Sequence, residues 1–510
     1  MADRFYLLDE PLLEFCGGMK ADDPRDGLSL YGAYGSSEHG IAPVGPHVVI
    51  GTAEGIKLWH GWVEAMNTPA ACVDPRRHRP WPPYPGFDVA FGSPCPRPVM
   101  AVEIDSAGLS RAARRTDRHD RAHSVASLYL ASIDAVKKLD EHPSMLVCVV
   151  PDLVHQNCRP KSVVLDTSDE APDRMLVGLA KEEARTGQAS FLGNEAFVGK
   201  AIESPEKYQL SPDFRRQLKA RMMPHGIPIQ IVREGTLQIT PQIRDGHKGT
   251  NPLSDRLWNL GTTLYYKSGR KPWKLAGARD GVCYVGLAYR QTEGGRTACC
   301  AAQMFLDSGD GIVFLGDFGP WYSEEKREFH LSARAAEGLL RGTIRTYEEQ
   351  GGRALREVFL HAQSGLDDEE FRGFLKACPV GCKLVGVRVR PNRNGLRLFR
   401  AGTRPVIRGT FWQRTERFGL LFSNGFKPRL GTYDGFEVPV PLDISIQHGD
   451  ADVVSVARDI LALTKLNYNA CQHGEGLPIT IKFSRAVGEI LLANPGLQRS
   501  SYRHNFKFYI

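Results

Sequence analysis

Between Phe214 and Leu275 the sequence collects the residue types that hold a phosphate. Arg215 and Lys219 stand four apart in FRRQLKAR, on one face if the segment is helical. Gln230 lies eleven residues beyond Lys219, inside the apolar run GIPIQIV. Lys267, Arg270, Lys271 and Lys274 occur in and just after a second helix-like stretch, NLGTTLYYKSGRKPWKL. Two helices and an intervening strand that bring an Arg, a Lys, an amide and another Lys together make a phosphate receptor. A terminal phosphate monoester carries about −1.5 to −2 charges near neutral pH and needs several convergent donors. Lys supplies point charge, Arg a bidentate fork, and Gln a neutral donor that can also meet an adjoining group. The competing reading of the same residues is an ordinary basic helix surface.

The elements that would position these groups belong to a large chain. With 510 residues it exceeds one hydrophobic core, so at least two domains are expected. A formal net charge of +7 and a pI near 8.8 lean weakly toward a polyanionic partner. MADRFYLLDEPLLEF has neither the basic start nor the apolar core of a signal peptide. No apolar run approaches the roughly 20 residues that span a bilayer. The eleven cysteines are scattered without CxxC or zinc-finger spacing, which fits reduced thiols and a cytoplasmic location.

VGPHVVIGT reads as a buried strand leading through a Gly-containing turn into the helix AEGIKLWHGWVEAM, the opening of a parallel α/β domain. The turn lacks the GxGxxG of a dinucleotide site. DPRDGLSLYG reads as turn-rich, GFDVAFG as a strand, and MLVCVVPD as the clearest buried strand of this half. The basic cluster Ser110 to His123 suits either a solvated helix face or phosphate contacts. TSDEAPDRMLVGLAKEEARTG reads as an excursion. After Leu275 come three strand-like runs, GVCYVGLAYRQ, RTACCAAQMFLD and GIVFLGD, with DSGDG as a hairpin turn. A long helix, a strand (Arg356 to Gln363), a helix and a strand follow, the order of an RNase H-like domain. Further strands run to Val440, and two helices and the tail NFKFYI close the chain.

Taken together, FRRQLKAR…IPIQIVREGTL, YYKSGRKPWKL, GVCYVGLAYR, ACCAAQMFLDSGDG, LTKLNYNAC and the aromatic tail resemble the short prokaryotic Argonautes. The resemblance covers nearly the whole chain. It implies an α/β architecture with a Rossmann-like MID domain over 1–275, N-terminal extension included, followed by an RNase H-like PIWI domain over 276–510. It further implies that Arg215, Lys219, Gln230 and Lys267 bind the 5′-phosphate of a guide strand. The C-terminal carboxylate, on Ile510, would complete the pocket through a bridging Mg²⁺, since carboxylate and phosphate repel without a cation. The family often has Tyr or His where this chain has Arg215. Arg270, Lys271, Lys274, Lys465, Asn467 and Asn469 are candidates for contacts to a nucleic-acid backbone.

An RNase H-like nuclease holds two metal ions with carboxylates. The positions that carry them in slicing relatives correspond here to Ala288, Gln363 and the Ser484–Arg485 pair, none of which suits a hard cation. Asp307, Asp310 and Asp317 are the nearby acids, at strand ends and in a turn where Asp is common. His361 reads as packed or target-facing. The resemblance therefore implies a protein that is not itself an enzyme. It would use a guide RNA to recognise single-stranded DNA, in a heterodimer with an APAZ-containing effector. That partner would be TIR or sirtuin-like and hydrolyse NAD, or would be a nuclease, in immunity against plasmids or phage. An active guided nuclease with displaced carboxylates, or an unrelated α/β enzyme with a small phosphorylated ligand, are the alternatives.

Overall fold

The computed structural model describes residues 3–36, 44–72, 78–164, 205–208, 210–239, 251–277, 279–291, 298–306, 311–323, 325, 327–350, 352–433, 435, 437–494 and 502–510. The excursion 167–187, the turn 307–310 and the acids Asp307 and Asp310 lie outside them. For Asp317 and Arg485 only the backbone is described.

The first sheet has four parallel strands in the spatial order Met100–Glu103, His47–Gly51, Met145–Val150, Ile229–Arg233. Its two inner strands, His47–Gly51 and Met145–Val150, are buried on both faces because helices cover both. Val49, Val147, Val149 and Val232 pack toward helices Ala53–Met66 and Leu253–Lys267. Val48, Ile50, Leu146, Cys148 and Ile229 pack toward helices Ser106–Ala113, Arg118–Ala131 and Phe214–Met222.

The second sheet has nine strands. At its centre Val282–Gln291, Glu357–Ala362 and Lys383–Pro391 run parallel, so their carboxyl ends share one edge. Ala298–Leu306 and Gly311–Gly319 extend one side as antiparallel neighbours. Helices Ala333–Glu349 and Asp368–Ala377 cover one face. Val453–Leu463 and Ser484–Leu491 contribute to the core on the other. There Gly286 matters: a Cβ at this position would lie 2.2 Å from the Thr480 carbonyl oxygen, so only glycine lets helix Ile479–Lys482 seat against the sheet.

Two expectations from sequence are overturned. DPRDGLSLYG is not a turn but helix Pro24–Tyr31. Asp23 accepts from the Arg25 and Asp26 amides as N-cap, and Pro24 takes the first helical position, where its missing N–H costs nothing. GFDVAFG is helix Phe87–Phe91, not a strand. Gly86 and Gly92 bound it in positive-φ conformations, and Phe87, Ala90 and Phe91 are its buried side.

The first residues of segment 1–275 cross to the other sheet: Arg4–Leu7 pairs with Thr410–Gln413 as an edge strand. One apolar cluster then runs without interruption from Trp59 and Trp258 through Tyr468 to Phe506, Tyr509 and Ile510.

Candidate functional site

Helix Phe214–Met222 starts at Asp213, whose side chain accepts from the Arg216 amide. Its apolar residues Phe214, Leu218 and Met222 fix its buried side, which carries Lys219 inward. Helix Leu253–Lys267 is buried along nearly its whole length and ends on Lys267. The ammonium groups of these two lysines converge on the last residue of the sequence. Lys219 Nζ donates to the Ile510 oxygen at 2.6 Å and to the Tyr509 carbonyl at 3.1 Å. Lys267 Nζ donates to the same Ile510 oxygen at 2.5 Å and to the Ile229 carbonyl at 2.6 Å. Phe506, Phe508 and Tyr509 are buried and hold the tail there.

Gln230 occupies the intervening strand. Its Nε2 donates to the Ile231 carbonyl at 3.2 Å, while its Oε1 is buried without a hydrogen-bond partner. A buried acceptor left unsatisfied costs about 1–3 kcal/mol, which a ligand donor or cation would recover.

The electrostatics are those of a site short of negative charge. Burial pushes Lys219 well below the usual lysine range, and the neighbouring Lys267 and Arg215 push it further. Burial and Arg215 bring Lys267 down to about 7. Arg215 itself stands on the solvent side of its helix, close enough for its charge to act on both lysines. Two lysines that converge on one oxygen, with a third cation acting on both, can do one thing well, which is to bind an anion.

Arg215 also acts on a residue that the sequence reading did not select. His155, on helix Asp152–Asn157 at the carboxyl end of strand Met145–Val150, is brought down to about 4 by burial and by the charges of Arg233, Arg159 and Arg215. Its Nε2 contacts the Arg159 guanidinium, which suits a neutral, accepting imidazole. The signal available in sequence was the strand-to-helix turn PDLVHQN, since ligands in open α/β sheets bind beyond strand carboxyl ends.

A pH dependence follows. An anion at the pocket restores the proton that Lys267 loses above about 7. Between pH 7 and 9 a terminal phosphate, with a second pKa near 6, stays doubly charged. Its affinity is therefore expected to fall across that window, with proton uptake on binding. Calorimetry in buffers of different ionisation enthalpy measures the uptake; a 5′-hydroxyl oligonucleotide serves as the flat control. The ligand-free protein shows the converse: the unfolded chain holds more protons between about 7 and 10.5, so this lysine makes stability rise with pH there.

The other candidates are placed elsewhere. Lys274 pairs with Glu14 at 3.1 Å and lies 4.6 Å from the Tyr34 ring centre. Arg270 and Lys271 are half-buried in the following turn, whose main chain accepts from Tyr34 and Gly35. Lys465 is not a backbone contact. It is buried, bonded to the Glu10 carboxylate at 2.7 Å and to the Asp22 carbonyl, which leaves no ammonium for a phosphate. Asn467 is likewise occupied, donating to Glu475 and accepting from the Asn469 amide at 3.0 Å. In the basic cluster, Arg121 is buried and caps four carbonyls, including those of Asn157 and Ser162, and Arg115 pairs with Asp120.

At the second sheet, Ala288 is buried in strand Val282–Gln291. His361 pairs with Gly286, two residues before Ala288, and Gln363 follows the end of strand Glu357–Ala362. His361 is buried and bonds Thr480 Oγ1 at 3.0 Å, and burial lowers its pKa to about 3. Among the described residues, no group of three or more His, Cys, Asp or Glu could hold a metal. Also among them, no helix is long and apolar enough to cross a membrane.

No protein-family model matches the sequence, and no curated protein is similar to it. Solved structures do match in shape. Clostridium butyricum Argonaute bound to a guide DNA and a 19-mer target DNA superposes with a TM-score of 0.59 at 13% identity, over 98% of this chain and 54% of that one. Aa-Ago with externally bound siRNA gives 0.55 at 15% identity, over 96% and 54%. A. aeolicus Argonaute gives 0.54 at 14%, over 96% and 53%. The chain thus spans about half the length of the structures it matches.

Proposed function

We propose that this chain, which has the Argonaute fold with MID and PIWI domains, binds the 5′-phosphate of a guide RNA and presents the guide to single-stranded DNA without cutting it. The observation that carries the reading is the convergence of Lys219 and Lys267, both buried, on the Ile510 oxygen, with Lys267 also bonded to the strand that carries the orphaned Gln230 Oε1. Two buried ammoniums without a side-chain carboxylate are costly for a protein to keep unless an anion compensates them. Arg215, at the solvent side, adds a fork that closes over the phosphate.

The donor set also suits Mg²⁺. The Ile510 oxygen and the amide oxygen of Gln230 are hard oxygen ligands, and the guide phosphate adds more. Ile510 and Gln230 would hold such an ion, which would offset the repulsion between these oxygens and the phosphate.

The absence of cutting rests on residue chemistry. Ala288 offers no ligand atom, and the Gln363 amide is a poor ligand for the paired metals of an RNase H-like centre. Base pairing then supplies specificity while the protein grips the end group and backbone, a division of labour used by other guided systems. A binder of this kind reports to something else. The reading completes it with an APAZ-containing partner in a heterodimer, TIR or sirtuin-like and NAD-hydrolysing, or a nuclease, acting in the cytoplasm against plasmids or phage.

The test is incubation of the protein with a 5′-phosphorylated guide RNA, a complementary DNA and Mn²⁺. Retention of an intact target is expected. Guide-directed cleavage, lost on changing Asp307 or Asp317, would replace this reading with that of an active nuclease.

A further inference from the structure

Helix Asp368–Ala377 and strand Lys383–Pro391 are joined by Cys378, Pro379, Val380, Gly381 and Cys382. The proline ends the helix, because it drives the residue before it into an extended conformation. Cys378 has φ −70° and ψ 135°, while its amide still bonds the Leu375 carbonyl at 3.2 Å. The chain then reverses in a tight turn, where the Cys382 amide donates to the Pro379 carbonyl at 3.0 Å. Gly381 permits the turn with a φ of 79°, a conformation that side chains disfavour.

The turn brings two thiols together. Those of Cys378 and Cys382 are hydrogen-bonded neighbours. Cys378 Sγ also donates to the Cys382 carbonyl at 3.7 Å, and Cys382 Sγ to the Lys383 carbonyl at 3.8 Å. Both cysteines are half-buried, and Val380 between them stands fully in solvent, so small molecules reach the turn. A third thiol nearby, Cys283, is wholly buried on strand Val282–Gln291. Burial pushes Cys378 up to about 12, and Cys382 adds to the rise. Burial also raises Cys382, but there the bond with Cys378 opposes it, so Cys382 ionises first and is the nucleophile of the pair.

The helix that carries Cys378 has a fixed seat. A Cβ on Gly373 would lie 2.1 Å from the Ala333 carbonyl oxygen, so the helix lies tight against Ala333–Glu349. At its other end Glu370 is buried and accepts from the Tyr289 hydroxyl at 2.7 Å. Thiols held in this way meet at a high effective concentration, which favours one internal bond over two separate adducts.

We propose that Cys378 and Cys382 form a reversible disulfide, a redox-controlled staple between helix Asp368–Ala377 and the middle strand of the nine-stranded sheet. The oxidant is a low-molecular-weight disulfide such as oxidised glutathione. The Cys382 thiolate attacks one of its sulfurs, the S–S bond of the oxidant breaks, and one glutathione leaves as a thiolate and takes a proton from solvent. Cys378 then gives its proton to solvent, its sulfur attacks that of Cys382, and the second glutathione leaves. Two electrons pass from the cysteine pair to the oxidant, and excess reduced glutathione runs the exchange backwards. Disulfides of this transient kind act as redox sensors in reducing compartments. The staple sits at the amino ends of the parallel strands and uses no residue of the end-group pocket, so it does not depend on the guide-binding reading.

The experiment equilibrates the wild-type chain in glutathione buffers graded from reducing to oxidising. Samples are acid-quenched, alkylated and digested with trypsin, which cuts after Lys376 and Lys383 and leaves both cysteines on one peptide. In oxidising buffer that peptide is expected to be lighter by two hydrogens and to take no alkyl group; in reducing buffer it takes two. Amides at the carboxyl end of the helix should exchange roughly tenfold more slowly in the oxidised form. The Cys378→Ser chain should stop at a glutathione adduct on Cys382, with exchange independent of the buffer. A wild-type peptide that keeps both thiols in the most oxidising buffer would overturn the proposal. So would a persistent glutathione adduct in the wild type, or a bond from either cysteine to Cys283. Equal exchange in the oxidised and reduced forms would overturn the staple even if the bond forms.

Discussion

Lys219→Met is expected to weaken binding of a 5′-phosphorylated guide by roughly 10- to 100-fold and to leave a 5′-hydroxyl guide within about threefold. The magnitude comes from one charge-assisted contact to an ionised group, about 1.5–3 kcal/mol, at 1.4 kcal/mol per decade. Methionine keeps the length and apolar stem of the side chain, so the packing of Leu218 and Met222 around it is undisturbed. In the empty protein Lys219 is a buried cation already opposed by Lys267 and Arg215. Its removal should therefore not lower the thermal midpoint, which separates a binding residue from a structural one. Equal losses for both guides would place Lys219 away from the phosphate. A large fall in the midpoint would make it a fold residue instead.

Glu10→Ala is expected to be the most destabilising single change, at about 3–5 kcal/mol. Glu10 stands between Arg408 and Lys465, whose side chains are essentially buried, and close to His473. Truncation would leave both cations in the interior without their carboxylate, which is the costly way to break a buried pair. The network extends through His473 to Asp23 and joins helix Pro24–Tyr31, through Arg25 and Asp255, to helix Leu253–Lys267. Hydrogen exchange should rise over 4–31 in the variant, and calorimetry reports the loss; a change below about 1 kcal/mol would contradict the assignment. The same groups set an acid limit. Burial raises the Glu10 pKa, but Arg408, His473 and Lys465 more than reverse this and hold it far below the carboxylate range. Burial likewise raises Asp23, and its bond with His473 and the charges of His473 and Arg25 bring it to about 2. Both pKa values are depressed on folding, so their stabilisation is complete above about pH 5 and drains away as pH falls below that.

Periodicity carried the sequence reading where one face of an element is apolar over several turns. Helices Ala53–Met66, Ala333–Glu349 and Val453–Leu463 are of this kind, as are the continuous apolar strands of both sheets. It failed in short elements. Phe87, Val89 and Phe91 alternate like a strand, and only the two glycines, with their positive φ, make the segment a helical turn. Lys219 and Lys267 stood out because a lysine on an otherwise apolar helix face has to have a destination. Lys465 looked similar, in LTKLNYN, but its destination is Glu10 at the opposite end of the chain, a pairing no local pattern encodes. Arg233 and Arg215 act on His155 from two other segments, a grouping that depends on sheet order. The absent carboxylates at Ala288 and Gln363 were legible as residue types; that their two strands run side by side and parallel follows from strand register.

The central claim is that the Lys219–Lys267–Ile510 pocket receives the 5′-phosphate of a guide. It is tested most directly by the affinity of the 510-residue chain for one RNA sequence carrying either a 5′-phosphate or a 5′-hydroxyl, at fixed salt and pH 7. Tighter binding of the phosphorylated RNA by at least tenfold is predicted, with the difference removed in the Lys219→Met protein. Equal affinity for the two RNAs in the wild-type protein would contradict it.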